Sequence, residues 1–241
     1  MLQLRNLNKS FGSLKVVDAF SLDLAEGESL GIIGPNGAGK TTLFSLIDGQ
    51  LAPDGGGVRF LGEDVTHLPP QRRCRAGMGR TFQVPRPFHG MTVFESARVA
   101  ACFGAGLSGR RADALALETI ENCGLAGRIN TPCAELTLLD RKRLELTRAL
   151  ATHPRLLLLD EIGGGLTDPE LRELDAILRG IRSRGVAIVW IEHIVHALTA
   201  FVDRLAVINF GALIAQGAPR EVMALPQVHE IYLGMDVDEA A

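Results

Sequence analysis

Short apolar runs alternate with turn signals over the first third of the chain: LQLRNL, SLDLAEGESL and GVRFLGEDV read as strands, with EG and DGGG as turns. Together they predict a small antiparallel sheet. SLGIIGPNGAGKTTLFSLIDG breaks that rhythm and reads as a buried strand, a glycine-rich turn and a helix ended by Gly49. From about Pro85 to Thr152 the apolar positions move to helical spacing, in TVFESARVAACF, RRADALALETIENCGL and RKRLELTRALATH. Alternation then returns. RLLLLDE is a buried strand, DPELRELDAILRGIRSRG a helix with Pro169 in its first turn and Gly185 at its end, and VAIVWIEH another buried strand. Continuous apolar strands separated by helices imply a parallel sheet covered on both faces. The predicted fold is therefore α/β: a doubly wound, mostly parallel core with a small antiparallel β subdomain at its start and an inserted helical subdomain. Neither an internal repeat nor a low-complexity tract is present, and only DVDEAA at the end reads as frayed.

Composition narrows the class. The 241 residues are 46% hydrophobic and 22% charged, the proportions of a folded rather than a disordered chain. A formal net charge of −3 gives no global footprint for nucleic acid. The four cysteines, Cys74, Cys102, Cys123 and Cys133, form no C-x-x-C pair and have no histidine at ligand spacing, so reduced thiols are expected rather than zinc or disulfides. MLQLRNLNKSFG lacks the apolar core of a signal peptide, and VAACFGAGL and VAIVWI fall short of the ~20 residues a bilayer crossing needs.

Two motifs carry chemistry. GPNGAGKT, from Gly34 to Thr41, matches G-x-x-x-x-G-K-[ST] between a strand and a helix. Glycines at 34, 37 and 39 let the backbone wrap an anion, the helix start adds positive potential, Lys40 neutralises the outer phosphates, and Thr41 offers a hydroxyl to Mg2+. Gly34, Pro35, Asn36, Gly37, Ala38, Gly39, Lys40, Thr41 and the adjoining Thr42 are thus the candidate nucleotide-binding residues. The bland alternative is a glycine-rich turn with a surface lysine. LLLLDE then ends in two acids at the C-terminal edge of a buried strand, where ligands of open parallel sheets gather. Asp160 is placed to hold a magnesium hydration shell and Glu161 to orient or deprotonate the attacking water, although acids in this position also cap helices.

With these motifs in this order, the chain resembles the ATP-binding subunits of ATP-binding cassette (ABC) transporters nearly end to end. Phe11, in KSFG, matches the aromatic position on which adenine stacks. Gln83, in GRTFQVPRPF, matches the glutamine that reaches magnesium and the attacking water. Gly165, Leu166, Thr167 and Asp168, in GGGLTDPE, hold the place of the D-loop, and His193, in VWIEH, matches the histidine that contacts the γ-phosphate. Read without the resemblance, Phe11 is a core residue, Gln83 a polar strand end, and His193 with His196 a pair on one helical face without a third metal ligand.

The resemblance also locates a signature, usually Leu-Ser-Gly-Gly-Gln, that binds the γ-phosphate held by a second ATPase subunit. Here it reads Leu136, Thr137, Leu138, Leu139, Asp140. Thr137 keeps a hydroxyl that caps a helix and donates to phosphate, whereas leucines in place of glycines crowd the approach. Arg141, Lys142 and Arg143 follow at what reads as a helix start, either facing the partner's nucleotide or forming a solvated basic face. Asymmetric pairing follows as an expectation, with this chain's own phosphate loop, Glu161 and His193 intact and its signature altered.

GRTFQVPRPFHGMTVFESA and PREVMALPQVHEIYLG resemble the ATPases of branched-chain amino acid importers. The implied organisation is one ABC ATPase domain over 1–241, with 1–84 plus 153–241 as nucleotide-binding core and 85–152 as helical subdomain bearing the signature. The implied activity is hydrolysis of ATP with Mg2+, held through Thr41, Gln83 and Asp160, to power import of a branched-chain amino acid or related small polar or amphipathic solute. Transmembrane permeases, a second ATPase subunit in a homo- or heterodimer and, indirectly, a solute-binding protein are the implied partners; nucleic acid is not. The implied location is peripheral, on the cytoplasmic face of the inner membrane. The alternatives are a soluble ABC ATPase uncoupled from transport and a nucleotide-binding subunit with weak hydrolysis.

Overall fold

Buried leucines set the first strand, for Leu2 and Leu4 alternate with outward-facing Gln3 and Arg5, and an irregularity between Leu4 and Leu7 returns Leu7 to the same buried side. In chain order the elements are β1 (Leu2–Phe11), β2 (Leu14–Leu24), β3 (Ser29–Ile33), α1 (Lys40–Ile47), β4 (Gly55–Phe60), β5 (Glu63–Asp64), α2 (Pro70–Arg75), β6 (Met78–Arg80), α3 (Val93–Phe103) and α4 (Gly109–Asn122). They continue with α5 (Leu138–Ala151), β7 (Leu156–Asp160), α6 (Asp168–Arg182), β8 (Ala187–Ile191), α7 (Val195–Phe201), β9 (Arg204–Asn209), β10 (Ala212–Gly217), α8 (Pro219–Met223) and α9 (Pro226–Leu233). The structure, a computed structural model, describes residues 1–85, 87–88 and 90–233; the tail DVDEAA, Gly234 of PREVMALPQVHEIYLG, and Arg86 and His89 of GRTFQVPRPFHGMTVFESA lie outside the described residues. The chain divides into two units, Met1–Pro70 with the segment from Val189 onward, and Gln71–Ile188. Strand β8 carries the chain from the second to the first.

In the first unit β1 pairs antiparallel with both β2 and β4, and β5 adds to β4, giving the order β2-β1-β4-β5. This is the antiparallel sheet expected from the alternating pattern. One detail differs: Gly55–Gly57, read from sequence as a turn, opens β4 instead. A Cβ at Gly56 would lie 2.2 Å from the Asn6 carbonyl oxygen, so the glycines serve a close approach of two strands rather than a reversal. The five residues of β3 are all buried and pair in parallel with β9, Leu30 opposite Arg204 and Ile33 opposite Val207, while β10 returns antiparallel to β9. Trp190 and Phe201 meet edge to face with ring centroids 5.5 Å apart.

In the second unit β6 and β7 run parallel, Met78 opposite Leu156 and Arg80 opposite Leu158. Every residue of β7 is buried, which explains its unbroken apolar sequence. The three helices α3, α4 and α5 share an apolar cluster of Val93, Ala97, Ile120, Leu125, Leu136 and Leu144. Helix α3 starts where Thr92 and Glu95 cap each other: Thr92 N–H donates to the Glu95 carboxylate at 2.8 Å, and Glu95 N–H donates to the Thr92 hydroxyl at 3.2 Å. Cys123 is wholly enclosed, and burial pushes its thiol up to about 12. Burial likewise raises the thiols of Cys74 and Cys133.

Candidate functional site

The phosphate loop lies in the first unit, between β3 and α1. Two of its glycines are packed too tightly for any side chain: a Cβ would lie 2.1 Å from Ile208 O at Gly34 and 2.4 Å from Val16 O at Gly39. Gly37 differs, for nothing stands within 4 Å of the corresponding point, so the tip of the loop faces open space with Asn36 beside it, exposed. Lys40 is 6% exposed and bends back over the loop, its Nζ donating to Gly34 O at 2.6 Å and Pro35 O at 2.9 Å. Ala38 is fixed on both sides, its N–H donating to Pro35 O and its carbonyl accepting from Gly211 N–H at 3.0 Å. Helix α1 has no acidic residue in its first turn, and Thr41 is exposed there with Thr42 half-buried behind it. The arrangement suits an anion: free space at the tip, a helix start without opposing charge, and an ammonium that can exchange backbone carbonyls for phosphate oxygens.

Phe11 and His193 belong to the same unit. Phe11 closes β1 with 49% of its surface exposed and the Lys9 ammonium 5.7 Å from its ring centre, which removes the reading of Phe11 as a core residue. His193 is exposed in the segment between β8 and α7, and its N–H donates to the Glu192 carboxylate at 3.0 Å. His196 lies inside α7, so the two histidines do not share a helical face as the sequence suggested. Among the described residues no group of three metal-ligating side chains forms a metal site.

The carboxylates lie in the second unit. Asp160 ends β7, 2% exposed, and Arg80 on neighbouring β6 donates to its Oδ2 at 2.9 Å. The Phe82 ring stacks 5.2 Å from that guanidinium, and Asp160 N–H donates to the Thr81 hydroxyl at 3.2 Å. Glu161 follows with φ of +48, a backbone setting uncommon for a residue with a side chain. Gln83 donates from Nε2 to Glu161 Oε2, so the glutamine and glutamate singled out from sequence are in direct contact. Gly164 N–H and Lys142 Nζ both reach the Glu161 carbonyl, at 3.3 and 3.4 Å. Beyond Gly165 and Leu166, the Thr167 N–H and hydroxyl each donate to Glu170 at 2.8 Å and hold its carboxyl below the usual range, the backbone bond contributing more; Asp168 opens α6.

The Leu136–Asp140 junction is in this unit too. Leu136 is buried in the helical cluster, Thr137 caps α5 by accepting from Asp140 N–H at 3.2 Å, Leu138 is 48% exposed, and Leu139 is half-buried. A Cβ built on Gly165 would touch Leu138 Cδ2 at 3.4 Å, so the junction and the turn before α6 are neighbours. The three basic residues need correction. Because α5 begins at Leu138, its first turn holds Asp140, and Arg141, Lys142 and Arg143 fall in the next one. Arg143 bonds Glu173 and lies 3.6 Å from Asp140, Arg141 donates to Ala134 O at 3.0 Å, and Lys142 is buried against Glu161. They do not form a solvated face, because carboxylates and carbonyls of the same unit engage them. Arg80 and Thr81 were not singled out in the sequence, although an arginine beside buried Met78 and Gly79, three residues before Gln83, is the signal that was available.

The family described as "ABC transporter" matches residues 17–163 of the chain. The chain belongs to the ABC transporter family. The high-affinity branched-chain amino acid transport ATP-binding protein LivG of Salmonella typhimurium is 36% identical over 97% of this chain and 98% of its own length. BraF of Pseudomonas aeruginosa, of the same description, has the same identity and coverage. Among solved structures, an ATP-binding cassette of an ABC transporter in its ADP conformation superposes with a TM-score of 0.90 at 30% identity, covering 97% of this chain and 98% of the other. The fold is thus that of the P-loop ABC ATPases, parallel and antiparallel strands included, as expected. As an ABC ATPase the chain binds and hydrolyses ATP as a transporter subunit, a role that entails dimerisation and permease partners. No helix among the described residues is long and apolar enough to cross a membrane.

Proposed function

We propose that this ABC ATPase powers uptake of branched-chain amino acids or a chemically close solute, in a complex with two permease chains and a second ATPase subunit, fed by a solute-binding protein. The relatives named for that transport support the cargo, and their identity extends along almost the whole chain. The proposed location is the cytoplasmic face of the inner membrane, and the proposed organisation is the core of 1–84 plus 153–241 with the helical subdomain 85–152.

Within each unit we assign roles residue by residue. Gly34–Thr42 hold the phosphates, Lys40 neutralising the outer ones, and the exposed Phe11 ring stacks on the base. Mg2+, when bound, neutralises charge on the transferring phosphate, and Thr41, Gln83 and Asp160 are the residues that would hold it. Glu161 accepts the proton of the attacking water while Gln83 fixes its carboxylate, and His193 contacts the γ-phosphate. Leu166, Thr167 and Asp168 form the D-loop, and Thr137, Leu138, Leu139 and Asp140 face a nucleotide held by the partner. An exposed leucine at 138 favours a mixed dimer in which the partner supplies the signature to this chain's own nucleotide. The single observation that carries the hydrolytic assignment is the contact of Gln83 with Glu161.

The test is ATP turnover by the reconstituted transporter. Stimulation by a binding protein loaded with leucine, isoleucine or valine, abolished by Glu161→Gln, is the expected result. Equal turnover with and without those amino acids refutes the cargo, and normal turnover in the glutamine variant refutes the catalytic assignment.

A further inference from the structure

Lys142 is the second-turn residue of α5 whose charge points into the protein. Its side chain is 5% exposed, and its Nζ donates to the carbonyl oxygen of Glu161 at 3.4 Å. That carbonyl also accepts the Gly164 N–H at 3.3 Å, which closes the turn after β7. Glu161 itself sits at φ +48, a left-handed setting that a residue with a side chain keeps only where its surroundings hold it. Besides the Gly164 N–H, two side chains of this unit take part in holding it. Gln83 grips the carboxylate, and Lys142 grips the peptide.

We infer that Lys142 is a positioning residue for Glu161: by holding the Glu161 carbonyl in the strained turn it aims the carboxylate, and it ties that aim to the start of α5. The inference rests on the reading of Glu161 as the group that accepts the water proton. The geometry gives the coupling a direction. Lys142 lies one helical turn beyond Leu138, and Leu138 abuts Gly165 in the segment that follows Glu161. A shift at the Thr137–Leu138 junction is therefore transmitted along one rigid turn to Lys142 and from there to the Glu161 peptide. An ammonium suits this task, since a buried charge is costly to strip of its acceptors and resists letting go of the carbonyl.

The experiment compares wild type, Lys142→Met, Lys142→Gln, Lys142→Arg and Glu161→Gln in the assembled transporter, measuring kcat and KM for ATP and, separately, retention of labelled ATP. Removal of the ammonium is expected to lower kcat about tenfold or more while KM and ATP retention stay within about twofold, and arginine is expected to restore most of the loss. The glutamine variant is one atom shorter and uncharged but still polar, so it serves if methionine prevents folding. A kcat within about twofold of wild type in both neutral variants, or a fall in kcat matched by an equal rise in KM and not restored by arginine, overturns the inference. Glu161→Gln separates the two levels: inactive alongside normal Lys142 variants, it refutes only the role of Lys142; fully active, it refutes the assignment of Glu161 and the inference with it.

Discussion

Substituting Gly39 by alanine tests the phosphate loop through its packing. The added Cβ would stand 2.4 Å from Val16 O, a backbone atom of β2 that cannot rotate away. Restoring a tolerable contact of about 3 Å requires a displacement of roughly 0.6 Å at the first residue before α1. A φ of +99 adds backbone strain, for which about 1–2 kcal/mol is typical of a residue bearing a β-carbon. Together these amount to about 2–3 kcal/mol, a loss of roughly thirty- to more than a hundredfold in ATP affinity if the strain is relieved by moving the loop. Gly62, in the turn between β4 and β5, is the control: it has φ of +87 but nothing within 4 Å of a Cβ, so alanine there meets strain without collision. Fluorescent-nucleotide titration and thermal melting of both variants separate the effects. Gly39→Ala is expected to lose binding, and Gly62→Ala to lower the melting temperature by a few degrees while binding ATP as wild type does. Wild-type ATP affinity in Gly39→Ala, or an equal loss in Gly62→Ala, refutes the reasoning.

Four further outcomes follow. Phe11→Ala is expected to raise KM for ATP by roughly five- to a hundredfold, the worth of one stacked base, with no change in melting temperature because the ring is half exposed. Thr137→Ala removes the cap of α5 and should cost about 1 kcal/mol in denaturant unfolding. Chelation of Mg2+ should stop turnover and leave the melting temperature of the nucleotide-free chain unchanged. Glu170 has its carboxyl held low by the Thr167 N–H and hydroxyl, so its contribution to stability is complete above the ordinary glutamate range and disappears as pH falls through the lower folded value. Glu170→Gln should accordingly melt below wild type at neutral pH and match it in strong acid.

Much of the fold was legible because its two periodicities are clean. Alternation gave the first part of β1 and the end of β2, unbroken apolar runs gave β3, β7 and β8, and helical spacing gave α3, α4 and α5. What sequence missed turns on single contacts. Three glycines in a row look like a turn until the Asn6 carbonyl lies against them. Arg141, Lys142 and Arg143 look like a charged surface, and the true start of α5 at Leu138 moves Asp140 into the first turn and sends the basic groups to partners distant in sequence, Glu161 and Glu173. Phe11 could be read as core or as exposed with equal ease, since alternation fails at the end of a strand. Gln83 and Glu161 are 78 positions apart, and the resemblance assigned both to the attacking water without foreseeing the direct contact that the structure contains.

The enclosed sulfur atoms have a practical consequence. With Cys123 sealed and its thiol pushed up to about 12, and burial raising those of Cys74 and Cys133, little thiolate is available to maleimides at these three sulfur atoms at neutral pH. Replacing the fourth cysteine, half-buried Cys102, with serine would leave only these three, so a probe introduced at the outward-facing position 138 would report on its own surroundings when a second subunit docks.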